Sequence, residues 1–374
     1  MTKNLSNGFE PEDTGKNQQP QCRVTGHPPG PVARWHRVAD SDRLVLENTA
    51  FQVEIWPDKG GAITRYVDRA SAVDVIWRNP YGQPPRLRPL DQPMVGGSDL
   101  YDVMDGSWYV SLPNGFFAGS YLGAPLGTHG ELRSLPWDVT AIEADAEELR
   151  VSLTGRSVRT PLLYHRTLTL RRDDPKLYWR EAVENRSQLT LPVAWLQHPT
   201  FGGPLLAGAR LLVPARTVRV GVADDPASLQ LQSGYHGEWP WVRERESGVM
   251  RDCRVVPPLG SGRDHSVQVT DLREGWGCVW NEGRNLGFAL EWDCTRFPYA
   301  WSWNSAGGIA HYPLWGEGHI ITLQPSTSPV GRFEALVQAG DVLEVPAGET
   351  VSTQMVSGFV TRESEPRISQ YSST

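Results

Sequence analysis

The sequence lacks the long hydrophobic stretches that membrane spans and secretion signals require. No run of about 18 apolar residues occurs anywhere in its 374 residues. The N-terminal segment is polar and has no apolar core of the kind that a signal peptide contains. We therefore expect a soluble, cytoplasmic protein that has no membrane partner.

Cysteine is also scarce, and its spacing argues against the common metal and redox motifs. None of the four cysteines belongs to a CxxC pair or lies beside a pair of histidines. The chain also has no HExxH, no GxSxG elbow, no Walker loop and no GxGxxG after a strand. We expect reduced thiols in the core and no metal site.

Positive charge is not concentrated in any part of the chain. The net charge is −7 and the isoelectric point is near 5.8, and no basic block stands out. A protein that binds nucleic acid through the phosphate backbone needs such a patch. Nucleic acid is therefore not expected as a partner.

Tryptophan, glycine and proline are abundant instead. The chain has 15 Trp, 37 Gly and 30 Pro against 5 Met, which favours many short strands joined by turns over long helices. Most of the indoles are expected in the core. Some can serve as sugar platforms, because an aromatic face packs well against the apolar face of a pyranose.

Apolar and polar residues alternate along most of the chain. Phe51, Val53 and Ile55 alternate with polar neighbours, a period of two that predicts a strand. Similar β-branched or aromatic segments, separated by turn signals, are Leu149–Leu153, Tyr164–Leu170, Leu177–Val183, Arg210–Val213, Val267–Val269, Gly277–Trp280, Gly287–Trp292, Ile320–Leu323 and Thr350–Val356. The acidic segment Ile142–Leu149 is predicted to be a turn. Strands at this density predict an all-β protein, a large antiparallel β-sandwich.

The composition changes near both ends of the chain. Residues 1–30 are rich in polar residues, glycine and proline, and are predicted to form a disordered or loosely packed arm. Residues 31–362 contain no Pro/Ser-rich linker and are predicted to form a single domain. Residues 363–374 lose the apolar pattern and are predicted to form a flexible tail.

Two of the nine histidines lie in settings that favour ligand access. His129 is surrounded by small residues that let a ligand approach the backbone, and His198 lies where a strand meets a Gly-Gly-Pro turn. His236 is on a loop with three aromatic residues, which either covers a sugar site or packs on the sandwich edge. His165 is interpreted as structural and His265 as a surface residue.

Carboxylates that could act as acid or base are less distinctive. The acidic residues nearest to these aromatic segments are Glu131, Glu238, Asp293 and Glu317. The preferred interpretation of each is an ordinary surface or hydrogen-bonded carboxylate. Gln324 ends a strand at a place where a base would be useful. An amide, however, cannot accept a proton at neutral pH.

Taken together, several short motifs follow one another in a recognisable order. From about Phe51 to about Val356 the chain resembles the aldose 1-epimerase (galactose mutarotase-like) superfamily. The matching motifs are Gly60-Gly-Ala-Ile-Thr64, His129-Gly130 with Pro136-Trp137, Asn185-Arg-Ser187 with His198-Pro-Thr-Phe-Gly202, Phe297-Pro298 with Trp301 and Trp303, and the closing Leu323-Gln-Pro-Ser-Thr-Ser-Pro329.

The resemblance implies a β-sandwich of the supersandwich type whose concave face binds a small-molecule carbohydrate. In mutarotases a glutamate removes the proton of the anomeric hydroxyl and a histidine protonates the ring oxygen, so that the ring opens and recloses. By motif, His198 is the implied acid and His129 the residue that holds or polarises the sugar oxygens. No cofactor or metal is implied, because neither electrons nor groups are transferred.

Two positions depart from the family pattern. Gln324 stands where the family has its catalytic glutamate, and Asn114 stands near the place of an arginine that contacts the sugar. Gln324 can still hydrogen-bond the C1 hydroxyl. The candidate catalytic residues are therefore His198, His129 and Gln324, and the candidate substrate-binding residues are Glu131, Asn114, Trp137, His236, Trp301 and Trp303.

Three functions are compatible with these residues. The first is an anomer-exchanging isomerase whose base is another carboxylate, such as Glu131 or Glu317, or an acid group of the substrate. The second is a non-catalytic sugar-binding protein that has kept the cleft and lost the base. The third is another carbohydrate reaction on the same scaffold, such as that of a lyase or hydrolase. Arg133, Arg284 and Arg296 could meet an anionic substituent, although surface arginine is the preferred interpretation.

Overall fold

A computed structural model describes residues 24–26, 30–38, 41–81, 104–221 and 230–363. Most of the predicted N-terminal arm and nearly all of the predicted tail lie outside these residues, so the domain boundaries stay a prediction. In the described part of the chain, no helix is long and apolar enough to cross a membrane.

The described residues form short strands joined by turns. In chain order the strands are β1 (Val24–Thr25), β2 (Val32–Val38), β3 (Ser41–Glu47), β4 (Phe51–Trp56), β5 (Ala62–Asp68), β6 (Trp108–Ser111), β7 (Gly119–Tyr121), β8 (Ala124–Leu126), β9 (Trp137–Ala144), β10 (Glu148–Arg156), β11 (Leu162–Arg171), β12 (Lys176–Asn185), β13 (Leu191–Val193), β14 (Leu196–Phe201), β15 (Arg210–Leu212), β16 (Thr217–Arg219), β17 (His236–Glu238), β18 (Trp241–Arg243), β19 (Met250–Asp252), β20 (Arg263–Thr270), β21 (Trp276–Asn281), β22 (Leu286–Trp292), β23 (Tyr299–Ala306), β24 (His319–Thr322), β25 (Gln324–Ser326), β26 (Leu343–Val345) and β27 (Thr350–Val360). Helix α1 spans Phe333–Ala339, and 3-10 turns occupy Gly203–Leu205 and Glu282–Arg284.

Two large antiparallel sheets form the body of the molecule. The first has the strand order β1-β2-β3-β4-β5-β6-β14-β24-β23-β20-β16-β17, with β25 paired to β14 and β23. The second has the order β15-β21-β22-β27-β12-β11-β10-β9. The prediction of a large antiparallel β-sandwich is confirmed.

The core lies between the inner faces of the two sheets. Trp108 of the first sheet stacks on Trp179 of the second with ring centroids 4.5 Å apart, and Tyr66 meets Phe288 edge to face at 4.8 Å. All four side chains are buried. Aromatic residues of this size contribute much of the buried area, and their pairing adds about 0.5–1.5 kcal/mol each.

Two local predictions are wrong. The segment 142–149 is not a turn throughout, because β9 and β10 extend into it and only residues 145–147 turn, held by Asp145 Oδ1 accepting from the backbone N–H groups of Glu147 and Glu148. His265 is not on the surface either, since it is 1% exposed in the middle of β20. Its pKa is lowered to about 3, first by burial and then by Arg251 and Arg263.

Candidate functional site

Side chains on the first sheet alternate between the core and an outer face. On β14, Gln197 points inward and donates to Glu181 of the second sheet. Its neighbour His198 therefore points outward, as does Tyr109, which follows the inward-facing Trp108 on β6. The outer face is the surface on which the predicted site residues meet.

The register of five strands places one row of side chains across this face. Direct pairing joins His198 to Tyr109, Trp301 to Gln324, and Gln268 to Trp301. The pairs Leu196–Ser326 and Thr200–Thr322 fix β14 against β24 and β25, and put His198 opposite Gln324. The resulting row, called the outer row below, runs Gln268, Trp301, Gln324, His198, Tyr109.

His129 reaches the outer row from the loop between β8 and β9. Its backbone has φ of 62°, an uncommon left-handed conformation, and its N–H donates to the carbonyl of Phe116 at 2.7 Å. The next residue, Gly130, also has positive φ and lies against the backbone of Leu112, where a β-carbon would clash. The small residues around His129 thus allow a tight loop that directs the imidazole.

The two histidines form a compact aromatic cluster with their neighbours. The ring centroids of His129 and His198 are 4.7 Å apart and the planes are nearly perpendicular, at 77°. Tyr109 stacks on His198 at 4.4 Å, and Trp301 lies 6.2 Å from His129. The structure therefore brings together His129, His198 and Trp301, as the sequence predicts.

Burial keeps both imidazoles uncharged. Each histidine is 6% exposed. Burial lowers the pKa of His129 to about 4, assisted by the positive charge of Arg133, and lowers the pKa of His198 well below its usual value, assisted by His129. Arg133 is 4% exposed and donates from Nε to the carbonyl of Thr128, so its interpretation as a surface arginine is wrong.

The hydrogen bonds define the proton positions on the two rings. Nδ1 of His129 lies 2.8 Å from the carbonyl of Gly115, which can only accept, so the proton of the neutral ring is on Nδ1 and Nε2 is an acceptor. Nδ1 of His198 lies 3.3 Å from Oγ1 of Thr200. When that hydroxyl donates, Nε2 of His198 carries the proton, and the pair presents one acceptor and one donor.

Several buried polar atoms on the outer face have no hydrogen-bond partner among the described residues. Gln324 is fully buried, and its Nε2 donates to Oγ1 of Thr322 at 2.7 Å while Oε1 has no partner among the described residues. Nε2 of Gln268 and Oγ of Ser111 likewise have no hydrogen-bond partner among the residues that the structure describes. Such atoms are rare in folded proteins and are expected to bind water or a ligand.

Trp303 lies one row farther along the same face. Its indole N–H donates to Oδ1 of Asp264 at 2.8 Å, and its backbone N–H donates to Oγ1 of Thr322. Asp264 and Thr322 therefore also lie near the site. In the sequence, the alternation within Val267–Val269 indicates that the side chain of Gln268 points away from those of its two neighbours. Only the strand register of the structure shows that Gln268 lies beside Trp301.

Three other predicted residues have internal structural contacts. Glu131 is fully buried and its two carboxylate oxygens accept from Ser157, Thr160 and the backbone N–H groups of residues 158 and 159. Asn114 donates to the carbonyls of Phe117 and Gly127 at 2.9 and 2.8 Å.

Trp137 packs in the core, 5.1 Å from Tyr164, and donates to the carbonyl of Leu132. His236 is exposed on β17, at the edge of the first sheet. It pairs with Arg219, which pairs with Gln268, so His236 lies on the continuation of the outer row, five strands from His198. The structure does not bring Glu131, Asn114 or Trp137 into the outer row. Within the described residues, no group of three His, Cys, Asp or Glu side chains is arranged to hold a metal ion.

Stability is expected to fall as the pH decreases from about 6.5 to about 4. Histidine in an unfolded chain protonates near pH 6.5, whereas folded His129 does so only near pH 4. Between these pH values the unfolded state binds more protons than the folded state. The free energy of unfolding therefore decreases as the pH is lowered, by about 3 kcal/mol for His129 alone. Urea unfolding at about pH 7 and about pH 5 measures the difference.

Two variants test the assignment of this pH dependence. His129→Asn removes one buried titrating group and should weaken the dependence, whereas His236→Ala, at an exposed position, should leave it intact. Equal free energies of unfolding at both pH values in the wild type would contradict the lowered pKa values.

No family model and no curated protein sequence matches the chain. Solved structures match it in fold at low sequence identity. A protein from Klebsiella pneumoniae described as a candidate aldose 1-epimerase has a TM-score of 0.69 at 13% identity, covering 91% of this chain and 87% of that chain. A galactose mutarotase-like protein from Clostridium acetobutylicum has a TM-score of 0.61 at 13% identity, covering 88% and 98%. Another from Lactobacillus casei has a TM-score of 0.57 at 16% identity, covering 85% and 100%.

Proposed function

We propose that this chain, which has the galactose mutarotase-like fold, is a carbohydrate-active isomerase that interconverts sugar anomers by acid/base-assisted ring opening. The observation that supports this most is the perpendicular pair of neutral histidines, 4.7 Å apart, beside the unpartnered Oε1 of Gln324. Ring opening requires one proton to leave the anomeric hydroxyl and one to reach the ring oxygen. The pair has an acceptor nitrogen and a donor nitrogen for these two transfers.

Each of the three residues has a distinct role in the proposed reaction. Gln324 Oε1 accepts a hydrogen bond from the anomeric hydroxyl and orients it. Nε2 of His129 then takes this proton, in the role that the glutamate has in the family pattern. Nε2 of His198 donates a proton to the ring oxygen from the imidazolium form, which it must reach by taking up a proton first, because a neutral imidazole is too weak an acid to give up its only N–H proton; Nδ1–H of that form donates to Oγ1 of Thr200. The bond between C1 and the ring oxygen breaks, C1 becomes a carbonyl carbon, and rotation about C1–C2 before closure gives the other anomer. Return of both protons restores the histidines.

The proposed base is a histidine, His129, rather than a carboxylate such as Glu131 or Glu317. Both oxygens of Glu131 are already hydrogen-bonded within the turn at 157–160. Glu317 is exposed in the turn between β23 and β24. His129 is the acceptor closest to His198 among these candidates, because the two rings are in contact.

A non-catalytic sugar-binding protein is the second candidate. Gln324, with an amide in the place of the family's glutamate, favours it directly. The same hydrogen-bonding groups would then hold a sugar without moving its protons. The two functions are separated by anomer exchange, measured by NMR over a panel of neutral and acidic sugars against the spontaneous rate. Exchange above that rate supports the isomerase, and saturable binding without exchange supports the binding protein.

The variant Gln324→Glu is expected to increase anomer exchange about tenfold to a hundredfold. It restores an oxygen that can accept a proton next to the anomeric hydroxyl, and one positioned base contributes about 10²- to 10⁴-fold at most. The Thr322 hydroxyl can rotate to donate to the new carboxylate instead of accepting. Gln324→Met, of similar shape, is the matched control and should not increase exchange. A Gln324→Glu rate equal to that of wild type would contradict this prediction, because a carboxylate at this position would then add nothing to the base that His129 supplies.

A further inference from the structure

We propose that a cavity at the edge of the core binds a small carboxylate with a short apolar tail, and that Arg296 binds the carboxylate group. The cavity has a volume of about 340 Å³. Sites for small molecules range from about 300 to 1,000 Å³, so this one suits a ligand of few atoms. The lining residues are Thr295, Arg296, Pro298, Thr327, Val342 and Leu343.

Three segments of the chain surround the cavity. Residues 293–298 join β22 to β23, Thr327 follows the end of β25, and Val342 and Leu343 lie at the start of β26. None of the lining residues belongs to the outer row. The carboxylate site is therefore separate from the sugar site and does not depend on the proposed function.

The loop 293–298 places Arg296 at the cavity without pairing its charge. Oδ1 of Asp293 accepts from the backbone N–H of Thr295 at 2.9 Å and from its hydroxyl at 2.6 Å. The carbonyl of Asp293 accepts from the backbone N–H groups of Arg296 and Phe297. The Asp293 carboxylate is thus bonded to Thr295, and the described residues provide no ion pair between it and Arg296.

The guanidinium of Arg296 includes a buried donor that has no acceptor. Nε is buried and has no hydrogen-bond partner in the described part of the chain, although the residue as a whole is half-buried. Nε1 of Trp195 is a second such donor, and the ring of Trp195 lies 5.3 Å from that of Phe297, the residue after Arg296. Buried donors are nearly always paired, so an acceptor from outside the chain is expected to bind here.

The other lining groups complement a carboxylate with an apolar tail. Nε and one Nη of a guanidinium form a fork that a carboxylate matches with two parallel hydrogen bonds. Oγ1 of Thr327 accepts from the backbone N–H of Trp195 at 2.9 Å, so its hydroxyl proton can be donated to a ligand. The lining residues Pro298, Val342 and Leu343 supply apolar surface for an alkyl chain.

The charges around the cavity favour a single negative charge on the ligand. Arg296 is the one charged group among the six lining residues. Asp293 and Asp341 lie next to lining residues in the sequence, and both are exposed to water, which screens their charges. A dianion such as phosphate would be repelled more strongly by these two carboxylates and would leave the apolar side of the cavity unfilled.

Binding of short carboxylates by the full-length chain tests the site. The probes are acetate, propionate and butyrate, compared with butanol and inorganic phosphate, and binding is measured by ligand-observed NMR titration. Affinity should increase about threefold to fourfold with each methylene from acetate to butyrate. Butanol keeps the tail but lacks the charge, and should bind at least about tenfold more weakly than butyrate.

Variants of Arg296 test its role. Arg296→Gln should weaken butyrate binding about tenfold or more, and Arg296→Lys, which keeps the charge but loses the fork, should weaken it to a smaller extent. The matched control is Arg284→Gln, at an exposed arginine in the 3-10 turn Glu282–Arg284, and it should bind as wild type does. Urea unfolding of each variant checks that the fold is retained.

Three results would overturn the proposal. No binding of any of the carboxylates by wild type would mean that the cavity is not a carboxylate site. Wild-type affinity for butyrate in a folded Arg296→Gln protein would mean that Arg296 does not bind the ligand. Tighter binding of phosphate than of butyrate would exclude a monocarboxylate with an apolar tail. None of these measurements involves sugars, so they are unaffected if the proposed isomerase function fails.

Discussion

Replacement of His198 with alanine is expected to reduce anomer exchange about 10²- to 10⁴-fold, the contribution of one positioned general acid. The side chain lies on the outer face, stacked on Tyr109 at 4.4 Å and perpendicular to His129. Alanine removes the donor to the ring oxygen without disturbing the core on the other side of β14. The exchange rate is measured by NMR at saturating sugar, so that a change in affinity does not mimic a change in rate.

The control for this variant is His236→Ala. His236 is the same residue type but is exposed on the edge strand β17, five strands away from His198, so its loss should leave the rate of exchange at saturating sugar unchanged. Loss of the stacked contact with Tyr109 should cost His198→Ala only about 0.5–1.5 kcal/mol of stability. Undiminished exchange in a folded His198→Ala protein would rule out His198 as the acid.

The fold could be predicted because its main signal is local. In strands such as β4 and β10, inward positions are apolar and outward positions are polar, so the sequence carries the period of the strand directly. The prediction failed at His265, where an inward position is polar. A histidine after Arg-Asp has the composition of a surface turn, and its burial depends on Arg251 from β19, which contacts Nδ1 at 3.4 Å. A local pattern contains no information about that partner.

The site was predictable in part for the same reason. The tight loop around His129 and the strand end at His198 are local features, and the family resemblance joined them. Glu131 and Trp137 have similar local settings, yet their side chains are bonded or packed inside the fold. Tyr109 and Gln268 were missed because their membership of the outer row follows from pairing between strands that are distant in sequence.

Behind the outer row, a buried polar network joins the two sheets. Arg166 of β11 donates from Nε to Glu181 of β12 at 2.8 Å and from Nη1 to the carbonyl of Gly61 at 3.1 Å. Glu181 also accepts from Gln197 at 2.6 Å, the residue next to His198. Both members of the ion pair have side chains that are at most 1% exposed. The network therefore fixes β14 from the side opposite to the two histidines.

Removal of one charge from this network is expected to have the largest effect on stability. Glu181→Ala leaves the Arg166 guanidinium buried without its carboxylate and should lower the free energy of unfolding by about 3–5 kcal/mol. Asp42→Ala is the control. It breaks the exposed pair with Arg37 and should cost at most about 1 kcal/mol. Urea unfolding of both variants measures the difference.

The double variant Arg166→Met/Glu181→Met distinguishes an uncompensated charge from loss of the network as a whole. Because it removes both charges and keeps most of the volume, it should be more stable than Glu181→Ala. It also removes the closer of the two acceptors of Gln197 Nε2, Glu181 at 2.6 Å, and leaves only the hydroxyl of Tyr164 at 3.4 Å. β14 is then held less firmly, and anomer exchange should decrease even where folding is restored. A double variant as unstable as Glu181→Ala would mean that the packing and hydrogen bonds of the network, rather than the unpaired charge, account for the loss. Restored stability with wild-type exchange would mean that the network stabilises the sandwich without positioning His198.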